Sequence, residues 1–385
     1  MTVIPLSQPA LKGNEWKYLK ECLDTGWVSS VGPFVDRFEQ AIASVVGSTH
    51  AVAVVNGTAG LHLALQLVGV EADEEVLVSD LTFVAPVNAI RYRQARPVLV
   101  DADPKTWQMD VEKLERFLSR ECEVRQQGCF NRRSRRRVRA VLPVHILGLA
   151  CDMDRIIALA RRYHLAVVED AAEALGVRFH GRAAGTFGDV GVLSFNGNKI
   201  VTSGGGGMLI TDNPDYAEHG RYLTTQARDD ETEYIHNEIG YNYRLTNLQA
   251  ALGLAQLEQL ARFMERKRAI ARAYESALGD LEGITLMPSP PHTEPTFWLY
   301  TVLLPAGTTL QQRQAMIARL RAAGWGARPL WHPIHGLPPY RGCQTVEVEH
   351  AIRLYERAIS LPSSVDLTED EVAQCAACVR EALTS

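Results

Sequence analysis

The residues that could do chemistry gather around one lysine of this 385-residue chain. Lys199 sits in SFNGNKIVTSGGGGM (194–208), between the hydroxyl of Ser194 and four consecutive glycines, Gly204 to Gly207. A lysine so placed suits covalent capture of an aldehyde, because its ammonium must shed a proton before attacking a carbonyl and partial burial favours that loss. The glycines give either mobility around the lysine or close backbone packing behind it. A surface lysine beside a glycine-rich turn is the plainer alternative. Asp170 ends the apolar run LAVVED (165–170). A carboxylate at the end of a buried strand wants a cation, such as a protonated pyridine nitrogen, or else caps the next turn. Asn56-Gly57-Thr58 follows another apolar run and opens a helix carrying Leu61, Leu65 and Val68. Free N–H groups and a hydroxyl at a helix start make a phosphate seat; an ordinary strand-to-helix turn would look the same. Phe83, just past a third strand, is placed to stack on a flat ring or to face the core.

Other features carry less. Seven arginines fall within 125–139 of the polar insertion 119–139, with Phe130 as the lone aromatic among them, which reads as a solvated surface loop with a phosphate-facing patch as the alternative. The net charge of −5 and the lack of a binding motif argue against nucleic acid. No run of about 18 apolar residues is present to span a bilayer. The first ten residues lack a basic start followed by an apolar block, so a cytoplasmic protein is expected. Seven irregularly spaced cysteines look like reduced thiols rather than a disulfide framework, and Cys375/Cys378 has no second ligand pair, so no metal is expected.

The positioning elements follow from periodicity. Helices are expected over 14–26 and 33–46, and then strands and helices alternate: strand 51–55, a helix after Thr58, strand 75–80, helix 82–94, strand 96–103, strand 140–148, helix 152–164 and strand 165–176, whose apolar part ends at Asp170. Such alternation implies a parallel α/β sheet with its ligand cleft at the carboxyl ends of the strands. A long connector helix is expected from near Thr246 to about Tyr274, and then an α+β tail: strand 296–305, helix 309–324, the strand-like WGARPLWHP and a helix after Thr368. The length suggests a large domain over 1–260 and a smaller one over 261–385.

Taken together, NGT at 56–58, Phe83, VEDAAEALG at 168–176, SFNGNK at 194–199, GGGG at 204–207 and GYNYRLTNLQAALGLAQL at 240–257 resemble, in that order, the DegT/StrS-type sugar aminotransferases. The resemblance covers essentially the whole chain. It implies the type I aminotransferase fold, with a mostly parallel sheet of the seven-stranded type, and pyridoxal 5′-phosphate as cofactor. It makes Lys199 the Schiff-base lysine, Asp170 the partner of the pyridine nitrogen and Glu173 the neighbour of the 3-hydroxyl, a position where many relatives have Gln. Gly57, Thr58, Ala59, Ser194 and Asn196 match cofactor contacts, Phe83 the ring-stacking position, and Asn242 a residue that reaches the phosphate of a partner subunit. A homodimer with shared sites is therefore implied. Trp27, Ser29, His145, Tyr300, His332 and His335 fall in regions near the sugar nucleotide.

The N-terminal stretch and the insertion resemble the branch that aminates nucleotide-linked 4-keto-6-deoxy-N-acetylhexosamines, feeding bacillosamine-like and legionaminic-acid-like sugars. The expected reaction is amino transfer from L-glutamate to C4 of a UDP-linked 4-keto-sugar, with a GDP- or dTDP-linked sugar as the alternative. A sugar dehydratase on the same fold would have replaced Lys199, usually with histidine. A non-catalytic regulator would carry a DNA-binding segment, which is not expected here.

Overall fold

The computed structural model describes residues 3–126, 128–230 and 232–384. Two helices, α1 (Glu15–Thr25) and α2 (Pro33–Val46), lead into the alternating region. There β1 (His50–Val54), α3 (Gly57–Leu67), β2 (Glu75–Ser79), α4 (Ala85–Tyr92), β3 (Arg96–Val100) and α5 (Val111–Glu121) follow in turn. After α5 come β4 (Cys122–Arg125), β5 (Gly128–Asn131), β6 (Arg137–Leu142), α6 (Met153–Tyr163) and β7 (Ala166–Asp170). Short β8 (Arg178–Phe179) and β9 (Arg182–Ala183) precede β10 (Val190–Ser194), β11 (Gly207–Thr211) and α7 (Pro214–Thr224). The remainder comprises α8 (Asn247–Leu257), α9 (Leu260–Leu278), β12 (Thr293–Glu294), β13 (Thr301–Leu303), α10 (Leu310–Ala322), β14 (Arg328–Pro329), β15 (Gln344–Val346), α11 (His350–Arg357), β16 (Ala358–Ser360) and α12 (Glu369–Thr384).

The main sheet runs β1-β11-β10-β7-β6-β2-β3-β15. Its pairs are parallel from β10 through β15, and antiparallel where β11 meets β10 and β1. Strands β2, β7, β10 and β11 are buried on both faces, which is why they read as near-continuous apolar runs rather than alternating ones. Their carboxyl ends deliver Asp170 and Ser194, and the β1 end delivers Asn56.

Three differences from the sequence expectations have clear causes. The expected seven-stranded core, β1-β11-β10-β7-β6-β2-β3, is present, and among the described residues the hairpin β4–β5 and the C-terminal β15 extend it to ten strands. The 119–139 insertion is therefore not a free loop. Cys122, Cys129 and Val138 are buried, and the arginines bond locally: Arg132 donates to the Cys122 carbonyl at 3.2 Å and Arg139 to the Val68 carbonyl at 2.8 Å. Gln127 lies outside the described residues. Likewise, 261–385 is not cleanly separate, since β15 pairs with β3 and β12 with β8.

The connector expected as one helix is two. At the junction Glu258 accepts from Asn14 and Tyr18, and Gln259 donates to Glu15, so α1 docks there. The 296–305 run forms a strand only over Thr301–Leu303; Phe297 takes a left-handed φ of 49° that interrupts the extended backbone just before Trp298, whose ring lies over Lys199.

Candidate active site

The phosphate end is built by the β1–α3 turn. Asn56 caps α3 by accepting the Ala59 N–H at 2.8 Å, which leaves the first N–H groups of the helix, at Gly57 and Thr58, pointing into a cleft. Ser194, at the end of β10, closes the other side; a Cβ on Gly57 would sit 3.1 Å from its Cβ. Behind the turn runs Gly207, where an added Cβ would meet the Asn56 carbonyl carbon at 2.7 Å and the Gly57 nitrogen at 2.8 Å. The glycine run is thus a close-packed floor. Gly204 and Gly206 supply the positive φ values, 78° and 138°, that fold it back beneath Phe195.

Lys199 follows a tight turn in which its N–H donates to the Asn196 carbonyl at 3.0 Å. Its Nζ lies 3.4 Å from Glu173 Oε1 and 4.0 Å from the centroid of the Trp298 ring. Glu173 is buried, and its Oε2 accepts the Leu147 N–H at 2.8 Å. Leu147 adopts φ 62°, ψ 13°, a strained conformation for a leucine that aims this N–H at the carboxylate. Burial pushes the Glu173 carboxyl upward, with Lys199 and the Leu147 N–H pulling the other way.

Asp170 is 3% exposed, and its carboxylate accepts the Ala172 N–H at 3.0 Å. Burial raises it, with that N–H, Lys199 and His145 only partly opposing. A carboxylate so desolvated is stabilised by any cation brought against it. This is the environment a protonated pyridine nitrogen fits, and the helix start with Ser194 fits a phosphate.

These groups line one cavity of about 420 Å3, which also takes in Asn56, Thr82, Phe83, Ala172, Asn196, Asn198, Trp298, Arg328 and Trp331. Of the residues expected from sequence, Gly57, Thr58, Phe83, Asp170, Glu173, Ser194, Asn196 and Lys199 lie on its wall. Ala59 stands one step back as the donor to Asn56. Asn242 is exposed and off the wall, bridged to Thr225.

The expected sugar contacts mostly do not converge there. His145 is fully buried: its Nδ1 accepts the Cys151 N–H and its Nε2 faces Glu169 at 2.9 Å, so it braces the end of β7 from behind. Tyr300 is also fully buried, stacked on Tyr274. His335 is spent on Asp80, at 2.8 Å, and His332 packs near Tyr355. Trp27 and Ser29 are exposed, their carbonyls bonded by Asn247. Sequence reading missed Asn198, Trp298, Arg328 and Trp331, although FWLY and WGARPLWHP held the signal. Aromatics beside apolar neighbours look like strand core until the backbone turns.

A model of the DegT/DnrJ/EryC1/StrS aminotransferase family matches residues 9–380. The GDP-perosamine synthase of Caulobacter vibrioides is 40% identical over 381 residues, covering 99% of this chain and 98% of the relative. The GDP-perosamine synthase of Escherichia coli O157:H7 is 37% identical over 379 residues, covering 97% and 96%. The crystal structure of DesI in the presence of its TDP-sugar product superimposes with a TM-score of 0.87 at 30% identity, covering 99% of this chain and 93% of that one.

Proposed function

The chain belongs to the DegT/DnrJ/EryC1/StrS aminotransferase family and is a pyridoxal-phosphate-dependent sugar aminotransferase, and we propose that it moves the amino group of L-glutamate to C4 of a GDP-linked 4-keto-6-deoxy sugar. The observation that carries this reading is that the Lys199 amine, beside Glu173, shares one cavity with the buried Asp170 carboxylate and the helix start at Gly57-Thr58. The GDP nucleotide, the alternative on sequence grounds, is better supported than UDP. Two of the relatives that match almost end to end, at 40% and 37% identity, are GDP-perosamine synthases. The N-acetylhexosamine branch has no such support.

When bound, the cofactor supplies an aldehyde for amine exchange and a ring that accepts an electron pair. The protein residues divide the remaining work. Gly57, Thr58 and Ser194 would hold the phosphate, and Asp170 would keep the ring nitrogen protonated. Phe83 and Ala172, on the cavity wall, would hold the ring, and Glu173 would take or give a proton beside its hydroxyl. The Lys199 amine would hold and move the proton that the donor must lose.

A homodimer completes the site in this reading. A single protomer leaves Trp16, Trp27, Val31 and Ile239 in water, with Ile239 84% exposed, which suits surfaces that meet a second copy. Asn242, exposed three residues beyond Ile239, is then available to the partner's phosphate end.

Incubating the protein with glutamate and GDP-, UDP- and dTDP-linked 4-keto-sugars, with products identified by NMR, tests the assignment. The expected result is amination at C4 with kcat/KM for the GDP sugar at least about tenfold above the others, a gap of about 1.4 kcal/mol. Preference for a UDP sugar would overturn the nucleotide; no amination of any sugar would overturn the reading.

A further inference from the structure

Lys199 has two close neighbours, the Glu173 carboxylate and the Trp298 indole, and amino transfer needs no group like the second. Trp298 is 3% exposed and is held at its indole nitrogen and its carbonyl. Its Nε1 donates to the Asn198 carbonyl at 2.8 Å, next to Lys199 itself, and Ser7 Oγ donates to the same carbonyl at 3.0 Å. Its backbone nitrogen lies against Gly148, where an added Cβ would stand 2.5 Å away, and Thr296 N–H donates to the Gly148 carbonyl at 3.0 Å. Its own carbonyl receives Lys267 Nζ at 2.7 Å.

Lys267 is the costly member of this set. It is 2% exposed on α9, has no carboxylate partner among the described residues, and donates to the carbonyls of Trp298 and Ser363. The fold carries that desolvated amine and ties two backbone segments with it. The same 146–148 turn serves both walls, since Leu147 N–H holds Glu173 and Gly148 seats Trp298.

We propose that Trp298 is a further catalytic residue, whose indole face seats the free Lys199 ammonium beside Glu173, and that Lys267 is the positioning residue that holds the indole there. An aromatic face attracts a cation without being able to take its proton. A second carboxylate would hold the charge and also compete for the proton that Lys199 must deliver. The indole confines the amine and leaves its proton transferable. This rests on Lys199 as the amine-carrying group.

The test compares W298F, which keeps a weaker face, with W298L, which removes it. In full-length protein stripped of cofactor, the rate of reductive methylation of Lys199 by formaldehyde and borohydride at fixed pH is read by peptide mass spectrometry. W298L is expected to label about 2- to 30-fold faster than wild type, with W298F in between. In the holoenzyme, W298L lowers the single-turnover rate with saturating glutamate while the KM for glutamate moves less than about threefold. Unchanged labelling in W298L, or W298F indistinguishable from W298L in both assays, overturns the role of the face.

Lys267 is tested by K267M, or by K267Q should the apolar variant not fold. It is expected to raise labelling alone and to add nothing to W298L. A double variant that labels faster than W298L alone overturns the positioning role. None of these results touches the outcome with keto-sugars, so the two readings fail separately.

Discussion

At Asp170, stability and function pull against each other. Burial raises its carboxyl above the ordinary range, so the folded chain without cofactor holds the proton more tightly than the unfolded one. Stability therefore falls as pH rises through the interval between the two pKa values, and the full penalty stands above it. Cofactor-free D170N is expected to melt higher than wild type near pH 7, with the gap closing as pH falls toward the carboxylate range. The same variant should lose roughly 100-fold or more in kcat, because the ring nitrogen loses its charge partner. Lys267 works in the opposite sense. Burial pulls it down to about 7, so above that pH the folded protein has shed a proton that the unfolded chain keeps. Wild-type stability relative to K267M should then rise with pH from about 7 toward 10, by at most about 1.4 kcal/mol per unit. Thermal melts at pH 6, 8 and 9 check both signs.

At the scale of elements, the site is where strand ends meet glycine. Gly207 lets β11 pass within contact of the turn that caps α3, and the atoms an added Cβ would strike there are backbone, which cannot swing aside. Gly207→Ala is expected to cost about 1–3 kcal/mol through overpacking and to weaken cofactor binding by displacing the Gly57 N–H. Denaturant melts and absorbance titration with pyridoxal phosphate measure the two effects. The hairpin β4–β5 teaches the converse lesson. Its arginines suggested solvent, yet Asn131 at its end is fully buried and donates to Glu75 and Gln344, so the hairpin is part of the sheet.

At the scale of the molecule, two joints matter. One is His335 against the buried Asp80, which fastens the C-terminal segment bearing Arg328 and Trp331 to the end of β2 beside the cavity. The hydrogen bond to Asp80 raises the His335 ring above its ordinary value. Its stabilisation is therefore complete below the unfolded histidine pKa and lost as pH rises through the folded one. H335Q should flatten the stability profile in that window, seen as a smaller fall in melting temperature between pH 6 and 8. The other joint is the proposed subunit interface. K199A and N242A homodimers should each be impaired, and mixing them by denaturation and refolding should restore activity, because one site in each hybrid has both native residues. Failure of the mixture to exceed its parents would argue for sites complete within one chain.

The sequence by itself determined one half of the cavity wall. Asp170, Ser194 and Asn56-Gly57-Thr58 lie at or next to strand ends, and a parallel sheet must bring such ends to one edge, so strand periodicity and residue type sufficed to place them. It determined the family for the same reason, since those ends occur in a fixed order. Tertiary structure alone decided the other half. Trp298 faces Lys199 because Phe297 turns left-handed and Lys267 holds the following carbonyl from a distant helix. Likewise, His145 and Tyr300 left the list of sugar contacts because their neighbours bury them. Long-range packing of this kind leaves no local period to read: a tryptophan in FWLY has the same pattern whether it fills a core or covers a lysine.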